Sequence, residues 1–192
     1  MISPKIWLPK LVLLDRDGVI NHDSDRYIKT SDEWNAISGS IFGIVQLQQL
    51  GIKVAVCTNQ AGIGRGLIKV PDLVSIHRKF NNQLMRNGGD PLKIFFCPHL
   101  PSDNCECRKP KPGLLITAIS ALDISCKDTI FLGDSITDFQ AAKTAGVKFA
   151  LVLTGNGRTT LENLKDRNHL NTTYYTSLST YANSLQKLGL RS

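Results

Sequence analysis

The sequence predicts an α/β fold, a Rossmann-like parallel sheet with helices on both faces, and three observations carry that prediction. Short aliphatic runs such as Leu11-Val12-Leu13-Leu14 lack polar alternation, as strands buried on both faces do. These runs alternate with segments of helical periodicity, the pattern of crossovers between parallel strands. Several of them stop abruptly at polar residues and glycine, where ligands of such sheets bind.

The first strand ends in Asp15-Arg16-Asp17-Gly18. Asp15 and Asp17 have period-two spacing, which starts both carboxylates on one side, although Asp and Gly are also the default residues of a solvated turn. A polar loop from His22 to Asn35 follows. Ile41, Ile44, Val45, Leu47 and Leu50 then recur at helical spacing, and Gly51 closes that helix. Lys53 to Thr58 is a second buried strand, ending in Thr58, Asn59 and Gln60.

The glycines at 62, 64 and 66 have the wrong spacing for a dinucleotide fingerprint, so Gly62 to Gly66 reads as a flexible substrate loop. Pro71 suits the first turn of a helix through Leu73, Ile76, Phe80 and Leu84, stopped at Gly88-Gly89. His77 on this helix reads as surface or core filler. Lys93 to Cys97 is a third strand, Leu114 to Leu122 a helix, and Thr129 to Leu132 a fourth strand that runs into Gly133-Asp134-Ser135-Ile136-Thr137-Asp138. A helix through Ala141, Ala142 and Ala145 ends at Gly146, and Phe149 to Leu153 is a fifth strand.

From Gly155 the chain is polar, with a strand near Tyr174-Tyr175 and a helix from Leu178 to Leu188, and reads as packing. The expectation is one domain over residues 1–192, with a core at about 8–155 and a C-terminal packing extension at about 156–192. Asp15, Thr58 and Asp134 stand at the ends of three different predicted strands, which puts them on one edge of the sheet.

Composition narrows the partner. The 192 residues are 42% hydrophobic and 20% charged, enough for one ordinary core. A formal net charge of +7 favours an anionic partner. No block of like charges or aromatic-basic interleaving marks a nucleic-acid surface, so the tilt is toward a small phosphate ester. Residues 1–10 lack a basic region followed by a long apolar one, and no run approaches the ~18 apolar residues of a membrane span. A cytoplasmic protein with no membrane partner, acting as a monomer, is expected.

Five cysteines are present, and Cys97, Cys105 and Cys107 crowd into one segment with His99. Such clustering suggests a metal, with free thiols the alternative, since single-residue spacing within each pair is tighter than the common zinc-finger pattern. Cys57 and Cys126 read as small core residues.

Four ordered motifs, Asp15-Arg16-Asp17-Gly18-Val19, Thr58-Asn59-Gln60, Arg108-Lys109-Pro110 and Gly133-Asp134-Ser135-Ile136-Thr137-Asp138, resemble the haloacid dehalogenase superfamily of phosphohydrolases. Within it, Thr58 to Gly66 and the segment Cys97-Pro98-His99 with Cys105-Glu106-Cys107 resemble the heptose 1,7-bisphosphate 7-phosphatases, with the histidinol-phosphatase domain as a near sister. The resemblance implies a haloacid dehalogenase-like fold whose minimal cap carries a zinc-binding loop, and removal of a sugar 7-phosphate in lipopolysaccharide-core biosynthesis. Competing readings are histidinol-phosphate hydrolysis, a basic zinc module on nucleic acid, and a phosphatase of nucleic-acid ends.

The resemblance implies catalytic roles for Asp15 (nucleophile), Asp17 (proton donor and acceptor), Thr58 and Lys109. Spacing alone does not separate Lys109 from Lys111, since both precede proline; the arginine before the lysine selects Lys109. Mg²⁺ would take oxygens of Asp15 and Asp134 and the backbone carbonyl of Asp17, with Asp138 and Ser135 in support. Zn²⁺ would take Cys97, His99, Cys105 and Cys107. An acid that donates at neutral pH needs a raised pKa, so crowding by carboxylates is expected at Asp17. Asn59, Gln60, Asp23 and Tyr27 are candidates to meet substrate, and Arg65 and Arg108 to grip a second phosphate.

Overall fold

The structure, a computed structural model, describes residues 7–166 and 172–189. Six strands form one all-parallel sheet in the order β3-β2-β1-β4-β5-β6: β1 (Leu11–Leu14), β2 (Lys53–Asn59), β3 (Lys93–Cys97), β4 (Thr129–Gly133), β5 (Lys148–Val152) and β6 (Thr173–Tyr175). The four residues of β1 are wholly buried. Their pleat sends Val12 and Leu14 to one face and Leu11 and Leu13 to the other, so an unbroken aliphatic run serves two cores.

The first core is covered by α1 (Ser40–Gln49), α3 (Val70–Arg86) and α7 (Leu178–Gly189), the second by α4 (Gly113–Leu122) and α5 (Ile136–Ala145). On α3 the apolar stripe Leu73, Ile76, Phe80 and Leu84 is buried, as its three- and four-residue spacing predicts. Gly146 closes α5 with a left-handed φ of 68°.

Two elements differ from the sequence expectation. Ala61–Gly64, read as part of a flexible loop, is the short helix α2. Its glycines serve close packing: a β-carbon on Gly64 would lie 2.8 Å from the Pro98 carbonyl oxygen. The segment Gly157–Asp166, read only as part of a polar packing extension, is α6. Its buried face is Gly157, Thr160 and Leu164, and one strong apolar residue in three is too little for periodicity to reveal.

Beyond α6, β6 joins the sheet edge, and Leu178, Tyr181, Ala182 and Leu185 of α7 enter the same core as β1. Residues 1–6, 167–171 and 190–192, which the domain and leader expectations include, lie outside the described residues. No described helix is long and apolar enough to cross a membrane.

Candidate active site

β1 lies between β2 and β4, with Leu14 opposite both Val56 and Leu132. Three carboxyl ends therefore finish at one level, where the connections diverge to opposite sides of the sheet, the usual place for a ligand cleft. Asp15 follows β1 directly, and its backbone N–H donates to the Leu132 carbonyl at 2.9 Å. Asp134 follows β4, and Thr58 sits near the end of β2, almost fully buried.

Lys109 reaches this edge from the segment before α4. Its ammonium stands 2.9 Å from Asp15 Oδ1 and 2.7 Å from Asp138 Oδ1. Burial opposes its charge, but Asp138 and Asp15 hold its pKa above the ordinary lysine value. The loop is clamped by Asn59, whose Nδ2 donates to the Lys109 carbonyl at 3.0 Å while its Oδ1 accepts from the Lys109 N–H at 3.1 Å. Asp138 is held by a capping box with Ser135: Ser135 Oγ donates to Asp138 Oδ2 at 2.7 Å. Lys111, by contrast, pairs with Glu106 out on the cysteine-rich segment.

Asp15, Asp134 and Asp138 bring carboxylate oxygens within 4.8 Å of one another. Burial and the neighbouring charges of Asp138 and Asp134 push the Asp15 pKa well up, against the pull of Lys109. Burial and Asp138 raise that of Asp134 to about 7. Asp134 Oδ2 accepts the Asn156 N–H at 2.7 Å, and Gly18 and Gly155 pass so close that a β-carbon on either would collide with the Asp134 carboxylate. Buried acids this close, compensated by one lysine, form a hard-oxygen donor set that fits a divalent cation such as Mg²⁺.

Asp17 departs from expectation. Burial raises its pKa, but the Arg16 guanidinium at 2.9 Å and hydrogen bonds from Asn21, Arg16 and Gln60 outweigh that, and the net shift is downward. Arg16 is 2% exposed and also donates to Gln60 Oε1 at 3.1 Å. His77 Nε2 lies 3.5 Å from Arg16 Nη1, and burial with that neighbouring charge lowers the His77 pKa to about 4. The expected upward shift is thus reversed at Asp17, whose side chain turns toward arginine.

A cavity of about 330 Å³ opens over these groups. Asp23, Ser24, Asp25 and Tyr27 form one wall, with Thr58, Asn59, Gln60, Ser135 and Asn156 around the remainder. Tyr27 takes a left-handed φ of 63°, a strained conformation for an aromatic residue and one that clusters at ligand sites. The cations that line the cavity, Arg16 and Lys109, are both engaged by carboxylates. Arg65 and Arg108 are not in its wall; Arg65 is exposed beyond α2, and Arg108 Nη1 donates to the His99 carbonyl at 3.3 Å.

Beside the cavity, Cys97, His99, Cys105 and Cys107 converge as the sequence suggested. The sulfur pairs stand 3.3–3.6 Å apart, and His99 Nδ1 is 3.3 Å from Cys107 Sγ. A tetrahedral Zn²⁺ with bonds of about 2.3 Å needs sulfurs roughly 3.8 Å apart, so the four side chains fit that ion with small adjustment. Sequence reasoning missed the Asn59 clamp, the Arg16 pair and the Asn156 N–H; each depends on where a loop returns, which spacing does not encode.

A HAD-hydrolase-like family model matches residues 106–180. The chain is 47% identical over 152 residues to D-glycero-beta-D-manno-heptose-1,7-bisphosphate 7-phosphatase of Neisseria meningitidis, covering 79% of this chain and 81% of that one. It is 46% identical to the Pseudomonas putida protein of the same name over 80% of this chain and 87% of that one. Among solved structures, D,D-heptose 1,7-bisphosphate phosphatase from B. bronchiseptica, complexed with magnesium and phosphate, superposes with a TM-score of 0.86 at 40% identity, covering 93% of this chain and 98% of that one.

Proposed function

Because this chain belongs to the heptose 1,7-bisphosphate 7-phosphatase family of haloacid dehalogenase-like hydrolases, we propose that it removes the 7-phosphate of D-glycero-D-manno-heptose 1,7-bisphosphate through an aspartyl phosphate on Asp15. The observation that carries the reading is the meeting of Asp15, Asp134, Asp138 and Lys109 at one edge of the sheet. The product would feed lipopolysaccharide-core biosynthesis in the cytoplasm. The enzyme acts as a monomer of a single domain, and its acidic edge disfavours a nucleic-acid backbone.

Asp15 Oδ attacks phosphorus, and the bond from phosphorus to the sugar oxygen breaks. Asp17 gives that oxygen a proton. In the second step Asp17 takes a proton from water as the water oxygen bonds to phosphorus and Asp15 leaves. The Arg16 pair keeps Asp17 charged, the form the second step requires; a phosphate dianion bound beside it raises its pKa by like-charge repulsion, which supplies the acid for the first. Thr58 Oγ1, the Asn59 N–H and Lys109 Nζ balance negative charge on the transferring oxygens.

Mg²⁺ would be held by Asp15, Asp134 and the Asp17 carbonyl, and supplies neutralising charge to the phosphoryl group when bound. Zn²⁺ on Cys97, His99, Cys105 and Cys107 would have a positional role, since Arg108 and Lys109 follow the last of these residues directly. Asp23, Tyr27 and Gln60 meet the sugar. Arg65 and Arg108, outside the cavity wall, reach the 1-phosphate where it extends beyond the opening.

The test is phosphate release from the heptose bisphosphate and from histidinol phosphate, with ³¹P NMR of the products. Loss of the 7-phosphate at much the higher kcat/KM supports the reading; preference for histidinol phosphate, or loss of the 1-phosphate, refutes it.

A further inference from the structure

A second cavity, of about 400 Å³, lies between the exposed face of α3 and the loop at 29–35 and shares no lining residue with the active-site cavity. Its charged lining is all of one sign: Arg78, Lys79 and Arg86, with no carboxylate among the residues that form it. Lys79 is already committed, donating to the Ser31 carbonyl at 2.7 Å and the Trp34 carbonyl at 2.9 Å, so it pins the loop to the helix and builds the far wall. Arg78 and Arg86 are exposed, and neither side chain is in any of the described ion pairs or hydrogen bonds. Neither guanidinium is committed to a carboxylate, so both are available to an anion in the groove.

The spacing defines the anion. Arg78 and Arg86 are eight residues apart, about 12 Å along the helix, and Asn82, midway between them, also lines the groove. Side chains that long and flexible can close from both ends of the groove on a group offering two sets of paired oxygens, and Asn82 and Gln83 bring amide donors to the stretch between them. We propose that this groove binds a small diphosphate-bearing anion, gripped by Arg78 and Arg86.

An extended polyanion fits less well, because the positive charge does not continue along the helix. Beyond the groove the exposed face carries Val70, Val74 and Met85, and Asp72 stands in the first turn. A nucleic-acid backbone requires a track of cations, not an isolated pair.

The test is isothermal titration of the full chain with inorganic pyrophosphate in Mg²⁺-free buffer, where the acidic edge of the active site repels the anion. The parent should bind one pyrophosphate saturably, and Arg78→Ser/Arg86→Ser should bind at least about tenfold more weakly, with a shallower salt dependence. Arg78→Lys/Arg86→Lys should fall between them, since an ammonium keeps the charge and loses the fork. Phosphate release from a saturating substrate should be unchanged in the serine variant, which also reports that it folds. Titration with ADP separates the sources of the diphosphate: tighter binding than pyrophosphate assigns a nucleotide, and equal binding assigns the diphosphate alone. Absence of saturable binding to the parent, equal binding by the serine variant, or tighter binding of duplex DNA through the same arginines would overturn the proposal.

Discussion

The two clusters of side chains able to hold a metal ion are built in opposite ways. Asp15, Asp134 and Asp138 come from the ends of two strands and the start of a helix, with Asp15 more than a hundred residues before the other two, whereas Cys97, His99, Cys105 and Cys107 come from the last residue of β3 and the short segment after it. The first set is hard and mostly buried, with Asp15 and Asp134 lining the cavity; the second is mostly sulfur. A dispersed site is exact only if the whole sheet is formed, so its geometry is secured by global stability. A local site secures its own loop, and through Lys109 that loop delivers a charge to the dispersed one.

The sharpest break between the two is expected at Asp15. Asp15→Asn should lower turnover by about 10⁴-fold or more while far-UV dichroism and zinc content stay at the parent's values, because an amide cannot attack phosphorus. At the other cluster the effects should be reversed in kind: Cys105→Ala should lose zinc and cost about 3 kcal/mol or more, a fall in Tm of roughly 10 °C, with turnover reduced only as far as Lys109 is displaced. A calorimetric scan with metal analysis reads both.

A smaller change tests the link between the regions. Asn59 clamps both backbone polar groups of Lys109. Asn59→Ala should reduce kcat by about 10- to 100-fold, as removal of an orienting partner does, with little change in zinc content. Steady-state kinetics at saturating Mg²⁺ would show it; an unchanged kcat would mean that the Asp15 and Asp138 pair alone holds the lysine.

The mildest effect is a pH dependence confined to the carboxylate cluster. The Asp134 pKa is raised to about 7 in the metal-free protein by burial and by Asp138. The folded chain then keeps a proton that the unfolded chain releases, so metal-free stability should decline from about pH 4 to pH 7 and level off above. Magnesium needs the ionised form, so its apparent affinity should rise over the same interval, by up to about tenfold per unit. Thermal melts with and without Mg²⁺ across that range measure both slopes.

How much of this was legible in the sequence follows the same division. The cysteine-histidine segment could be read from its clustering because all four residues are local in sequence. The carboxylate edge could be read only through the fold, by recognising that Leu11–Leu14 and Thr129–Gly133 are buried parallel strands whose ends must coincide. What stayed hidden belongs to neither kind. Arg16, between two acids and before a glycine, looks like part of a solvated turn; that it is buried and turns Asp17 aside depends on Gln60 and Asn21 arriving from other segments. Asn156 contributes a backbone N–H that any residue could provide. Gly62 and Gly64 resembled a loop because glycine usually marks one, yet here close packing against Ile68 and Pro98 excludes a side chain.

The central claim is that Asp15 accepts the phosphoryl group, and borohydride trapping tests it most directly. Reduction of an acyl phosphate during turnover with Mg²⁺ and the heptose bisphosphate should convert Asp15 to homoserine, seen by peptide mass mapping and absent without substrate. Reduction at another carboxylate, or none while phosphate is being released, would contradict the account.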